Sequence, residues 1–203
     1  MYEKHINNYI NNNKLFTVTD IQKAVGVCKE KKAVFNTELT RMEKKGYIVR
    51  IKRGIYAVPE KTCFGDILPD NNLIANKFYM ENDNGYVTGP TFLNQIGLST
   101  WLPTKTYIKS NHNRRKMTAE SFVIAAPVVK ISSKNKPYLQ FLDGLGDMQK
   151  YAVDKKDPEK LLCYYIKKMD MDVGLLFTYA HKYYRQNVTE TLYRIMEKYY
   201  EIT

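Results

Sequence analysis

The spacing of apolar residues along the first third of the chain predicts helices that alternate with short strands. Residues 1–12 form a helical pattern, with apolar side chains at Tyr2, Ile6, Tyr9 and Ile10. Phe16 to Val18 reads as a short strand. Thr19 and Gln22 then have the spacing of a capping box, so we expect a second helix that begins there and stops near Gly26.

A third helix is predicted between a lysine-rich turn, Cys28 to Lys32, and Gly46. At 100° per residue, its larger apolar side chains fall on one side, at Phe35, Leu39 and Met42. The opposite side is small, polar and basic, and also carries Ala33. Asn and Arg pair with adenine and guanine edges, and Thr contacts the thymine methyl group. A merely solvated helix face is the alternative for this helix alone. We expect DNA contacts from Lys31, Lys32, Asn36, Thr37, Thr40, Arg41 and Lys44.

Two short apolar runs after this helix predict a β-hairpin with a basic tip. Tyr47 to Ile51 and Gly54 to Val58 flank Lys52 and Arg53, and Pro59 follows the second strand. Helix, strand, two helices and a hairpin, in this order, are typical of a winged helix-turn-helix. In such a module the third helix enters the DNA major groove, and the basic tip would contact phosphates. The hairpin therefore favours the DNA-binding interpretation over the solvated face.

The remainder of the chain predicts a second, mixed domain. We expect a loop from Pro59 to Pro69, and therefore a winged helix-turn-helix domain over residues 1–62 and a second domain over 66–203. Its predicted elements are a helix over 70–82, a helix with Pro90 in its first turn and Gly97 at its end, and strands at 106–108 and 122–124. The fold class expected for the whole chain is α+β.

From about residue 137 the pattern becomes helical. Asp157 and Pro158 suit the N-cap and first position of one helix, and either Asn187 or Thr189 suits the start of the last. Asp170 and Asp172 are two residues apart, which indicates a helix boundary more than a metal site. We therefore expect a helical C-terminal part within the second domain.

Charge is concentrated where DNA binding is predicted. The chain has 203 residues and a net charge of +11, and residues 1–60 contribute 12 basic and 6 acidic side chains, which is +6. Residues 136–203 contribute 11 and 10, which is only +1. A second basic turn near residue 112 predicts further phosphate contacts from Arg114 and Arg115, although a solvated charge run is the alternative. A membrane surface is the competing partner, but no predicted helix combines a strong apolar face with a basic one.

Other function classes find little support. Cys28, Cys63 and Cys163 are isolated, which disfavours a zinc site or a disulfide framework and suits reduced thiols in the cytoplasm. The polar N-terminus predicts no signal peptide, and no apolar run approaches the ~18 residues of a membrane span. The three histidines lie far apart, and Gly144 and Gly146 lack the rest of a dinucleotide motif. We expect no catalytic residues, metal or cofactor, with a nucleic-acid-processing enzyme as a lesser alternative.

Two segments resemble the AbiEi-type antitoxins and their shorter relatives. Tyr47 to Tyr56 is similar to the R-x-x-RG-I/V-Y wing of that family, and Gly89 to Thr100 is similar to its TG-x-x-ALN-x-LGLST segment. The resemblance covers roughly residues 10–130. Matching positions are Gly54, Ile55 and Tyr56 in the wing, and Asn94, Gly97, Leu98 and Ser99 in the second segment.

The resemblance implies the antitoxin of a type IV toxin–antitoxin system. Such a protein binds double-stranded DNA at its own promoter and represses it, and its second domain counters a nucleotidyltransferase-like toxin. Phe92 stands where the family usually has Ala, and the helical tail has no matching counterpart. A stand-alone winged-helix regulator without a toxin is the alternative, and the sequence leaves self-association into a homodimer open.

Overall fold

The chain folds into two compact units, Met1–Lys77 and Phe78–Thr203. The computed structural model describes residues 2–112, 116–118 and 121–201. The division lies beyond the junction that the sequence predicts between residues 62 and 66. The functional assignment of residues 1–62 and 66–203 as separate domains stays a prediction.

The N-terminal unit, Met1–Lys77, begins with three helices and a small sheet. Its chain order is α1 (Glu3–Asn12), β1 (Leu15–Thr17), α2 (Val18–Val25), a 3₁₀ turn (Lys29–Lys31), α3 (Lys32–Lys44), β2 (Val49–Lys52) and β3 (Ile55–Ala57). The three strands are antiparallel in the order β1-β3-β2. The predicted helices and strands of this region are therefore present.

One apolar cluster joins the three helices to the sheet. The helical spacing of α1 and α3 is what places their apolar residues on the inner side, where they meet the strands. Phe35, Leu39 and Met42 of α3 are at most 1% exposed, as their spacing predicts. The cluster consists of Ile6, Ile10, Phe16, Ile21, Phe35, Leu39, Met42, Ile48 and Tyr56.

The start of α2 corrects a sequence-based prediction. The capping box is formed by Thr17 and Asp20, two residues before the predicted N-cap at Thr19. The Thr17 hydroxyl accepts a hydrogen bond from the Asp20 amide at 3.0 Å, and the Asp20 carboxylate accepts one from the Thr17 amide at 3.1 Å. Because Thr17 ends β1 in an extended conformation, the strand passes directly into the helix. Gly26 ends α2 with φ +70°, as predicted.

The predicted loop from Pro59 to Pro69 is also wrong, because it contains a hairpin. Strand β4 (Glu60–Thr62) pairs with β5 (Gly65–Ile67) in a separate two-stranded sheet. The Thr62 hydroxyl donates to the Gly65 carbonyl at 2.8 Å across the turn. Helix α4 (Asn71–Ala75), a π turn (Asn76–Met80) and a 3₁₀ turn (Glu81–Asp83) follow, where the sequence predicts a helix over 70–82.

The C-terminal unit, Phe78–Thr203, combines a four-stranded sheet with helices. Its first part contains β6 (Gly85–Val87), α5 (Gly89–Gln95), β7 (Thr106–Ser110), β8 (Met117–Thr118) and β9 (Phe122–Ala125). For the described residues the sheet order is β6-β7-β9-β8, in which β7 and β9 are parallel and the other two pairs are antiparallel. The two strands predicted at 106–108 and 122–124 are confirmed as parts of β7 and β9.

Among the described residues, four further helices complete this unit, in keeping with the predicted helical C-terminal part. They are α6 (Lys136–Asp147), α7 (Pro158–Lys168), α8 (Val173–Tyr183) and α9 (Gln186–Glu201). Asp157 caps α7 and Asp172 caps α8, which confirms their boundary roles. The last helix begins at Gln186, so neither Asn187 nor Thr189 opens it, and Thr189 is instead buried.

The mixed α and β architecture of both units agrees with the predicted α+β class. Within the described residues, no helix is both long enough and apolar enough to cross a bilayer.

Candidate nucleic-acid interface

The outward side of α3 is mainly polar and basic, and it also exposes Ala33 and Val34, of which Val34 is 61% exposed. The burial of Phe35, Leu39 and Met42 turns the other side of the helix to solvent. Every residue that the sequence predicts for DNA contact on this helix is exposed, and so is Lys31 in the turn before it. The exposed set is Lys31, Lys32, Asn36, Thr37, Thr40, Arg41 and Lys44.

The two threonines on this face already use their hydroxyl protons. Thr37 donates to the Ala33 carbonyl at 3.0 Å, and Thr40 donates to the Asn36 carbonyl at 3.1 Å. These bonds orient both side chains along the helix. What remains for a ligand is the methyl group and the hydroxyl lone pairs, so the threonines are suited to thymine methyl groups and to donors.

Asn36 has a partner on α2 that the sequence does not predict. The Gln22 side chain on α2 donates from Nε2 to Oδ1 of Asn36 at 3.1 Å. This bond connects the two helices on the exposed side and restrains the Asn36 amide. The capping box predicted from the sequence includes Gln22, whereas the cap formed by Thr17 and Asp20 leaves Gln22 available for this contact.

Arg41 is held only by a weak surface pair. Its Nη1 lies 3.3 Å from Oε2 of Glu38, and 66% of the arginine side chain is exposed. Such a pair one turn apart on a helix contributes about 0.2–0.5 kcal/mol. A guanine or a phosphate would therefore displace Glu38 at small cost.

Lys45 differs from the neighbouring Lys44 because it is engaged within the protein. Its Nζ lies 2.9 Å from Oε1 of Glu3 on α1. The hydrogen bond and the opposite charge lower the pKa of Glu3 and raise that of Lys45. Lys45 thus ties α3 to α1, whereas Lys44 faces solvent.

The basic hairpin tip lies between β2 and β3. Strand β2 carries an irregularity between Arg50 and Lys52, and Gly54 in the turn has φ +80°, as expected for this position. Arg53 is exposed and Lys52 is partly buried. The Gly54 carbonyl accepts from the Val18 amide at 2.9 Å, which fastens the tip to the start of α2.

The sequence also predicts phosphate contacts outside the N-terminal unit, from Arg114 and Arg115. Arg114 and Arg115 lie outside the described residues, so their predicted phosphate contacts stay a prediction. Their neighbours in sequence belong to the C-terminal unit.

Comparison with known families supports the interpretation of the N-terminal unit. Residues 8–59 match the family described as "Transcriptional regulator, AbiEi antitoxin". This confirms the resemblance that the wing motif suggests. The matched segment contains α2, α3 and the hairpin of β2 and β3, and it ends before the C-terminal unit.

The fold of the whole chain has a counterpart among solved structures. No curated protein sequence matches the chain. Three solved chains match, and one is described as the crystal structure of the RV2827C protein from Mycobacterium tuberculosis. It is 9% identical, with 97% of this chain and 76% of that chain covered and a TM-score of 0.55. At this identity the likeness concerns the fold alone.

Proposed function

We propose that the N-terminal unit binds double-stranded DNA as a winged helix-turn-helix and that the protein represses its own promoter. The observation that carries this proposal is the division of α3. One side is buried in the core through Phe35, Leu39 and Met42, and the other presents mainly polar and basic side chains, with Ala33 and Val34 also exposed. The match of residues 8–59 to a family of transcriptional regulators also supports DNA binding by this unit.

The two parts of the interface have different roles. On α3, Asn36 and Arg41 are the side chains that can pair with base edges, and Thr37 and Thr40 offer methyl groups. Phosphate contacts come from the basic residues at the ends of α3 and at the hairpin tip. Each such contact releases counterions and so makes affinity depend on salt. The basic residues proposed to contact phosphates are Lys31, Lys32, Lys44, Lys52 and Arg53.

We further propose that the protein is the antitoxin of a type IV toxin–antitoxin system. The family description names an antitoxin, and the Gly89–Thr100 segment resembles the second motif of that family. In this proposal the C-terminal unit counters a nucleotidyltransferase-like toxin. A homodimer would set the spacing between operator half-sites. A stand-alone regulator is the alternative.

DNA binding is tested by fluorescence anisotropy on the full chain. One labelled duplex comes from the region upstream of the gene, and the other has the same composition in scrambled order. Arg41→Ala should weaken binding to the first duplex by ~1–3 kcal/mol if it pairs with guanine, and should affect the scrambled duplex less. Equal losses on both would reduce Arg41 to a phosphate contact. Equal wild-type affinity for both duplexes would contradict sequence-specific binding.

A second variant separates the hairpin from the helix. Arg53→Ala should weaken binding to both duplexes and make the salt slope shallower by about 0.9 for the lost phosphate contact. Lys168→Ala removes an exposed charge from α7 and serves as the matched control, so it should leave the slope unchanged.

The antitoxin proposal is tested by growth rescue. A neighbouring nucleotidyltransferase-like gene, if the genome has one, is expressed with the wild-type chain or with Arg41→Ala. Rescue by both would support neutralisation by the C-terminal unit, independent of specific DNA contact. Growth arrest with both chains would favour the stand-alone regulator.

A further inference from the structure

A cleft of about 770 Å³ opens within the C-terminal unit. Residues of β7 and β9 line one part of it, and residues from the ends of α6 and α8 and the start of α9 line the rest. This volume is in the range of small-molecule sites, which is about 300–1,000 Å³. Neither the DNA-binding face nor the matched segment of residues 8–59 contributes to it.

The base of the cleft is a buried hydrogen-bond network around Asp143, which is 7% exposed. Its carboxylate accepts from the Tyr86 hydroxyl at 2.6 Å and from Nζ of Lys109 at 3.1 Å. Burial raises the pKa of Asp143, and the charge of Lys109 opposes that shift. Lys109 is therefore paired with Asp143 inside the protein, with its Nζ 3.1 Å from Oδ1.

The second carboxylate of the cleft, Asp147, is also engaged. It accepts from the Gly89 amide at 3.0 Å, from the Thr88 hydroxyl at 3.2 Å and from Nζ of Lys150 at 3.3 Å. Both acidic side chains that line the cleft thus have their partners within this unit. In the described part of the lining, these carboxylates are therefore occupied by protein donors instead of being free for a cation.

Two further basic side chains give the cleft an excess of positive charge. Lys116 and Arg185 both line it and are exposed, and neither forms an ion pair with another described residue. Together with Lys109 and Lys150, the described lining carries four basic groups against the two carboxylates, a net charge of +2. The excess favours an anionic ligand, for which arginine and lysine are the usual phosphate partners.

Aromatic rings form another part of the lining. Tyr107 and Tyr151 lie edge to face with centroids 6.0 Å apart, and Trp101 stacks on Tyr151 at 6.3 Å. Two amides in the lining, Gln149 and Asn187, are joined by a hydrogen bond of 2.6 Å. Flat rings offer a stacking surface, and amides can pair with the edge of a heterocyclic base.

We propose that this cleft binds a free nucleotide, whose phosphates contact Lys116 and Arg185 and whose base packs against Tyr107 and Tyr151. Cationic groups alone would suit any phosphate, and tyrosines alone would suit any planar ring. Their combination in one cleft of this size selects a ligand that has both. The site is independent of the proposed DNA interface and gives the C-terminal unit a small-molecule ligand.

The test is isothermal titration of the full chain with ATP, GTP, CTP and UTP. Tripolyphosphate carries only the phosphates, and adenosine and guanosine carry only a base and a sugar. Each of these probes therefore tests one half of the proposed recognition. At least one nucleotide should saturate the protein below about 1 mM, and should bind about tenfold more tightly than tripolyphosphate or its nucleoside. Absence of saturation, or tripolyphosphate binding as tightly as every nucleotide, would overturn the proposal.

Variants locate the binding to the cleft. Arg185→Gln and Lys116→Gln should each weaken nucleotide binding about five- to tenfold, because each removes one charge-assisted phosphate contact. Lys168→Gln, an exposed lysine of α7 outside the cleft, is the matched control and should bind as the wild type does. Loss of binding in Arg53→Ala with no change in Arg185→Gln would place the nucleotide on the DNA face and refute the site.

Tyr151→Leu distinguishes the base contact from the phosphate contact. It should weaken nucleotide binding and leave tripolyphosphate unchanged, with the unfolding transition used to verify that the variant is folded. An equal loss for both probes would contradict the proposed base contact. A single-stranded tetranucleotide that competes more tightly than any free nucleotide would instead identify the cleft as a nucleic-acid site.

Discussion

The Tyr86→Phe substitution tests the buried network that forms the base of the cleft. Only the hydroxyl oxygen is removed, so the ring of Tyr86, which is 1% exposed, continues to fill its space in the core. What is lost is the 2.6 Å hydrogen bond to the Asp143 carboxylate, whose remaining charged partner is Lys109 at 3.1 Å. A hydrogen bond to a charged group contributes about 1.5–3 kcal/mol, and we expect the free energy of unfolding to fall by that amount.

The chain has a built-in probe for this measurement. Trp101 is the only tryptophan and belongs to the C-terminal unit, so its fluorescence during urea unfolding reports that unit. Tyr164→Phe makes the same chemical change on α7, where the side chain is 64% exposed, and should change the stability by less than about 0.5 kcal/mol. If Tyr86→Phe were as mild as Tyr164→Phe at pH 8, the network would contribute no net stability and the reasoning would be refuted.

Three further predictions concern single side chains. Gln22→Ala should weaken binding to the upstream duplex about two- to tenfold because Asn36 loses its restraint, and an unchanged affinity in the anisotropy assay would show that Gln22 has no positioning role. Gly54→Ala should cost about 1–2 kcal/mol from its φ of +80° alone, since a Cβ there meets no atom within 4 Å, and thermal unfolding measures this loss. Burial raises the pKa of Asp143, so the folded unit binds the carboxyl proton of Asp143 more tightly than the unfolded chain does. The stability that comes from this protonated carboxyl is lost as the pH rises through the folded pKa. The free energy of unfolding of the wild type relative to Asp143→Asn should therefore fall as the pH rises above about 4, and a rise would contradict the direction of the shift.

Local patterns in the sequence were sufficient for most individual elements. The spacing of Phe35, Leu39 and Met42 set the inner side of α3, and with it the outward face. A helix buries the side chains that recur at its own period, and this needs no knowledge of what they pack against. Gly26 and Gly54 have positive φ as expected, because few other residues adopt that conformation without strain.

Two of the predictions that were wrong concern the start of α2 and the segment from Glu60 to Ile67. The hydroxyls of Thr17 and Thr19 were both available for a cap, and the structure uses Thr17 because β1 ends there with an extended backbone. The residues from Glu60 to Ile67 have weak strand character, so their pairing could not be inferred from either half alone. Each half becomes a strand only through hydrogen bonds to the other.

The tertiary structure alone decided which polar side chains meet. Gln22 and Asn36 are 14 positions apart, and Tyr86 and Asp143 are 57 apart. An isolated Asp or Tyr in a sequence carries no sign of its partner, since charge pairing and burial are created only when separate elements pack together. The sequence therefore determined the helices, turns and basic faces, which depend on neighbouring residues. The cleft and its network exist only because β7, α6 and α9 converge.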